Sequence, residues 1–207
     1  MDKPDERKLQ RHVDEGHLAL GRYVAEFSRL ILVIRDLMVQ RLRKADDPPE
    51  LAELPFGGVT AEPITNAFFA MCRLLMEHDK DEDEVATKLR VAISHQIARR
   101  NAVAHGDWYI GYWSVIGGAT PEEAVWESSA PRLEQIKPTR RAGPRRVVSE
   151  DLDQQSEALV KLRTLARQYG TVCFGRHPRA KRVRDVLVLE DGKAEFGPLA
   201  SRGPWMV

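Results

Sequence analysis

The chain has 207 residues, 43% hydrophobic and 30% charged, which suits one domain or two small ones, supplies a core and excludes a disordered chain. The net charge of +1 hides an uneven distribution: Glu77–Glu84 carries six acids against one base, and Arg132–Arg146 six bases against one acid. The longest apolar run, Leu30 to Ile34, is broken at Arg35, and no apolar signal region follows the charged N-terminus, so neither a membrane span nor secretion is expected.

A first helix is predicted over Asp5 to Arg43. Leu20, Val24, Phe27, Ile31, Ile34 and Met38 alternate steps of four and three, with Tyr23, Leu30, Leu37 and Leu42 widening the seam. Asp46-Asp47-Pro48-Pro49 stops it. A second helix starts at the cap Thr60, turns Ile64, Phe68, Cys72 and Leu75 inward, and closes over His78 to Lys80. A third starts at Asp81, with Asp81 and Glu84 as a capping box, and buries Leu89, Ile93, Ile97 and Ala104 before Gly106 ends it. Asp107 to Ile116 is rich in aromatic and β-branched residues and reads as a strand pairing with Arg132–Lys137. A basic loop follows up to Arg146. Ser149 then caps a fourth helix with Leu152, Leu159, Leu162, Ala166 and Tyr169 inward and Gly170 near its end. Val186–Lys193 reads as half a hairpin around Asp191-Gly192. The expected architecture is mainly α: a four-helix bundle over residues 1–175, with a small β-hairpin insertion at about 107–140 and a basic loop at 137–147 before the last helix, then a basic tail over 176–207.

Cys72 and Cys173 stand about a hundred residues apart with no CxxC or Cys/His cluster. Neither a disulfide scaffold nor a structural zinc site is expected, and a reducing cytoplasm is. The acidic run has no histidine arrangement beyond His78, so no metal is assigned, and Gly57-Gly58 lacks the lysine of a phosphate loop. His12, His78 and His95 read as surface or core side chains.

The chemistry concentrates where the third helix stops. Four of the six histidines follow an arginine by five residues, and with 23 arginines chance gives about one such pair. The spacing alone therefore means little. Only Arg100/His105 adds an asparagine after the arginine, small and apolar residues between, and glycine then tryptophan beyond. Arg100-Asn101-x-x-Ala104-His105-Gly106, at the end of the third helix of a bundle, resembles the motif of HEPN domains. The resemblance covers roughly residues 18–170 and is carried by about seven of them. It implies Arg100 and His105 in the catalytic positions, Asn101 in the polar position beside them, and metal-independent endoribonuclease activity without a cofactor. A toxin–antitoxin or phage-defence setting comes with it, as does a symmetric homodimer whose motifs meet at the twofold boundary. Some family members are controlled by an antitoxin or a nucleotidyltransferase that modifies a tyrosine near the motif; Tyr109 and Tyr112 follow His105 here without clearly reproducing that pattern. Others add an acid from the first helix, which Glu26 and Asp36 only neighbour.

Elementary chemistry agrees with the residue types. Metal-free RNA cleavage needs a group that moves protons near neutrality and a cation matched to phosphate oxygens. A five-residue step on a regular helix turns ~140°, so Arg100 and His105 do not share a face. Either the helix ends between them or two subunits complete the site. Arg140, Arg141, Arg145 and Arg146 are the candidate RNA-backbone contacts, and Trp108–Trp113 suits base stacking or, more simply, a core. A second cluster, Arg176, Arg179, Lys181, Arg182 and Arg184, either joins them or solubilises the tail. Two other readings compete: an inert HEPN module that dimerises, binds nucleotide or RNA and recruits a partner, and a helical regulator that binds nucleic acid without cutting. A lone histidine at a helix end also serves simply as a dipole partner.

Overall fold

The computed structural model describes residues 6–43, 52–105, 108–111, 132–135 and 145–200, with side chains for 11, 14–43, 52–103 and 151–200. The protein is mainly helical. Its long helices are α1 (Glu6–Leu42), α2 (Ala61–Leu75), α3 (Lys80–His105) and α4 (Ser149–Cys173), and a short turn of helix, α5 (Val183–Val186), follows. Between α3 and α4 lie β1 (Trp108–Gly111), β2 (Arg132–Gln135) and β3 (Arg145–Val148); the chain closes with β4 (Leu187–Glu190) and β5 (Lys193–Phe196). No helix among the described residues is long and apolar enough to cross a membrane.

The chain divides into two compact units, one of Met1–Val24 with Ala102–Ser156, the other of Ala25–Asn101 with Glu157–Val207. The first unit holds the larger sheet, antiparallel in the order β1-β2-β3. Trp108 pairs with Gln135 and Gly111 with Arg132, as the expected pairing of these segments requires. The described part of this strand is Trp108–Gly111, and residues 112–116 lie outside the described residues. The hairpin is also extended by a strand the sequence reading took for loop: Arg145 and Arg146 open β3, opposite Gln135 and Glu134. β3 then runs directly into α4. In this unit Ala19, Tyr23, Val103 and Leu152 are buried, and Arg22 Nη1 donates to Asp153 Oδ1 at 2.7 Å.

The second unit contains the bundle core. α1 contributes Phe27, Leu30, Ile34 and Leu37, α2 Ile64, Phe68 and Cys72, α3 Leu89, Ile93 and Ile97, and α4 Leu159, Ala166 and Tyr169. The ring of Phe68 sits edge-on to Phe69, Tyr169 and Phe174, with centroids 5.3, 5.9 and 6.0 Å apart. Such edge-to-face contacts set the positive rim of one ring against the negative face of the next.

Several helix faces differ from expectation. The α1 seam is rotated by about one residue: Tyr23, Leu30 and Leu37 lie deep, Leu20, Val24 and Ile31 are half-buried, and Leu42 is 46% exposed. Both stripes are apolar, so packing partners rather than periodicity choose between them. Leu75, expected inward, is 42% exposed because α2 ends there. Leu162 is half-buried. Thr60 occupies the α2 cap position without a side-chain cap bond. Gly170 lies near the end of α4, as expected, and the helix continues to Cys173. A Cβ at Gly170 would meet Leu37 Cδ1 at 2.8 Å and Phe68 Cε2 at 2.9 Å, so this glycine lets α4 approach α1 and α2 closely.

The chain after α4 packs rather than trails. Val183, Val186 and Leu187 are fully buried. The expected Asp-Gly turn is present, with Asp191 at φ 49° and Gly192 at φ 70°, and it joins β4 to β5 in an antiparallel pair.

Candidate functional site

The motif occupies the last turns of α3. Arg100 and Asn101 fall in the second unit and His105, the final residue of the helix, in the first; the His105 side chain lies outside the described residues. The helix runs unbroken through His105, so it does not end between the two motif residues as one expected solution required. Arg100 is half-exposed. Its guanidinium carbon stands 5.7 Å from the centroid of the Phe27 ring, and Nη1 donates to Asn101 Oδ1 at 3.3 Å. Among the described residues no carboxylate forms an ion pair with Arg100.

That isolation contrasts with the acids of α1. Glu26, 8% exposed, accepts from Arg163 Nη1 at 2.6 Å and from Arg29. It is committed to that pair of bases one residue from the ring that Arg100 covers. Asp36 lines a different place, an open cavity of about 400 Å³ with Gln40, Arg167, Arg176 and His177 around it. Burial, reinforced by Glu53, pushes its carboxyl above the usual range. Neither acid joins Arg100.

The opposite end of α3 is held by charge. The capping box is Asp79/Glu82, two residues before the expected Asp81/Glu84: Asp79 N donates to Glu82 Oε2 at 3.1 Å, and Glu82 N donates to Asp79 Oδ1 at 3.0 Å. The Glu82 side chain is only 1% exposed and takes Arg182 Nη2 at 2.6 Å and Nε at 3.1 Å. Arg182 and Arg184 also reach Asp79. Arg176 donates to Gln40 Oε1 at 3.0 Å. Much of the second basic cluster is therefore used internally, and the acidic helix start is a docking point for the chain that follows α4.

Sequence reading missed a second grouping beside this cap. Cys173 Sγ lies 3.6 Å from His78 Nε2, and His78 Nδ1 lies 3.6 Å from Asp83 Oδ1. The His78 ring stacks on Tyr169, centroids 5.8 Å apart, and its side chain is 2% exposed. Cys72 and Cys173 are both free and buried, and Phe69, three residues before Cys72, stands 5.4 Å from the Tyr169 ring, four residues before Cys173. Hydrogen bonds from Cys72 and His78 bring the Cys173 thiol down to about 6, against the opposing cost of burial. The bond to Cys173 raises the imidazole of His78 in turn, while burial pushes the Cys72 thiol up. No group of three or more histidine, cysteine or acidic side chains suited to a metal occurs among the described residues.

Of the expected RNA contacts, Arg145 and Arg146 are in β3, their side chains outside the described residues; Arg140 and Arg141 lie wholly outside them. The expected helix stop at Gly106 and the aromatics Tyr112 and Trp113 also lie outside them. No protein-family model, curated protein or solved structure matches the chain.

Proposed function

We propose that the chain is a metal-independent endoribonuclease of HEPN type, with Arg100 holding the scissile phosphate and His105 moving protons. The observation that carries this reading is the state of Arg100. It stands in the last turns of a long helix and rests on a phenyl ring and an amide, without a carboxylate partner among the described residues. A guanidinium held in place and not neutralised is suited to a phosphate from outside. Asn101 accepts from one edge of the fork, through Nη1.

In the proposed reaction the RNA 2′-oxygen attacks the adjacent phosphorus as its proton passes to a base. The bond to the 5′-oxygen breaks, that oxygen takes a proton, and a 2′,3′-cyclic phosphate remains. His105 serves the proton transfers, and Arg100 stabilises charge on the non-bridging oxygens. The continuous helix turns the two residues ~140° apart, so the proposal places their meeting at a twofold interface between two copies. Arg140, Arg141, Arg145 and Arg146 extend the proposed RNA contact, in a cytoplasmic toxin or phage-defence setting with an antitoxin or nucleotidyltransferase as regulator.

The test is cleavage of labelled total RNA by wild type and His105→Ala, with chelator throughout. Cutting by wild type that leaves cyclic phosphate ends, lost in the variant, is the expected result. Equal cutting by both removes His105 from the reaction; binding of RNA without cutting by either favours the inert HEPN module.

A further inference from the structure

We propose that Cys72 and Cys173 are a peroxide-sensitive dithiol, with Cys173 the attacking sulfur and Cys72 the resolving one, closing a reversible disulfide between the ends of α2 and α4. The two residues are 101 positions apart in sequence (173 − 72), yet the fold packs α2 on α4 one turn before each of them, where Phe68 and Phe69 stand 5.9 and 5.4 Å from the Tyr169 ring, and both thiols are buried there. His78 stands on the short connector between α2 and α3, with one ring nitrogen on the Cys173 sulfur and the other towards Asp83. That ordering of sulfur, imidazole and carboxylate favours a thiolate–imidazolium pair against the opposing cost of burial. The lowered Cys173 thiol and raised His78 imidazole agree with the geometry.

Burial also selects the co-reactant. Cys173 is 4% exposed and Cys72 fully enclosed, so a peptide or nucleotide cannot reach the sulfur and acyl or phosphoryl transfer is excluded. A hydroperoxide, only a few atoms in size, is the class of co-reactant that suits so enclosed a sulfur. The Cys173 thiolate attacks the terminal oxygen of the hydroperoxide, the O–O bond breaks, and the departing alkoxide or hydroxide takes the proton held by His78. Sulfur is oxidised to the sulfenic acid. The Cys72 sulfur then attacks it, the S–O bond breaks, and water leaves with the Cys72 proton. Two thiols and one hydroperoxide thus yield one disulfide, one alcohol or water, and one further water.

The test uses the full chain treated with equimolar hydrogen peroxide. The expected result is loss of both free thiols, a chain lighter by two hydrogens, a cross-linked peptide joining Cys72 to Cys173, and reversal by dithiothreitol. Closure is expected at least ~10-fold faster in the folded chain than in urea, because only the fold supplies the neighbouring imidazole. Cys72→Ser is expected to accumulate a Cys173 sulfenic acid that dimedone traps, and His78→Gln to slow closure by about 10-fold. Thiols that persist in the folded chain while reacting in urea overturn the proposal. So does cross-linking between chains only, or closure at the same rate with and without His78. None of these readouts depends on RNA cleavage.

Discussion

The two ends of α3 handle charge in opposite ways. At the start, Asp79 and Glu82 cap the helix, bind Arg182, and lie beside the linked side chains of His78 and Cys173. Every one of those polar groups is answered from within the chain. At the far end Arg100 has an aromatic face and an amide, with no acid among the described residues. Answered charges build a fold, since an unpaired buried one costs several kcal/mol. A charge held in place without an acidic partner among the described residues is available to an outside partner, and the proposed function rests on that difference between the two ends.

The comparison breaks first at Arg100. Arg100→Ala is expected to reduce RNA cleavage by about 10²–10⁴-fold with little change in melting temperature. Arg100→Lys should recover only part of that loss, because an ammonium lacks the planar fork. If Arg100→Ala instead unfolds the protein without a specific effect on cleavage, the residue is structural like its counterparts at the other end.

Glu82→Ala should show the converse. It removes the reciprocal cap and the buried partner of Arg182, and is expected to lower unfolding free energy by roughly 2–4 kcal/mol in urea titrations. Cleavage measured well below the melting temperature should be unchanged. A loss under about 0.5 kcal/mol would mean that the acidic start is merely solvated.

Gly170→Ala sharpens the account of the core between these ends. The new methyl group must displace Leu37 or Phe68, at an expected cost of about 1–3 kcal/mol, whereas an exposed helical Gly→Ala change stabilises. A higher melting temperature would refute the close approach assigned to this glycine.

The smallest effect concerns acid. Asp79 is held below its ordinary 3.8 by the backbone N–H of Glu82, with Arg182 and Arg184 adding to it. A carboxyl depressed in the folded state contributes stability above its unfolded value and loses it as pH falls through the folded one. Stability should therefore decline below about pH 4, and less steeply in Asp79→Asn, which keeps a capping side chain but no charge. Identical acid profiles for the two proteins would show that Asp79 carries none of the decline.

Local periodicity made the four long helices and the Asp191-Gly192 turn legible, because those signals are written within a few residues. The errors arose where a local pattern offers two answers. Asp79/Glu82 and Asp81/Glu84 are the same capping box in two registers, and Arg182, about a hundred residues later, selects the first. Leu20/Ile31 and Tyr23/Leu30 are both apolar stripes of α1, separated only by what packs on them. Gly170 was legible as lying near the end of α4, but not as the point where Leu37 and Phe68 approach. The Cys72–Cys173–His78 grouping was illegible for the same reason, since only tertiary folding brings its members together. The motif at Arg100 was legible as residue types and spacing, while the lack of an acidic partner among the described residues became visible only with Glu26 seen bound elsewhere.

The central claim is that Arg100 is held open for a phosphate, and binding tests it most directly. Single-stranded RNA would be titrated, with chelator present, against His105→Ala, in which cleavage is expected to be silent, and against the Arg100→Ala/His105→Ala double variant. Loss of a charge-assisted phosphate contact predicts affinity about 10–100-fold weaker in the double variant. Equal affinities would contradict the account and return Arg100 to the class of residues that serve the fold.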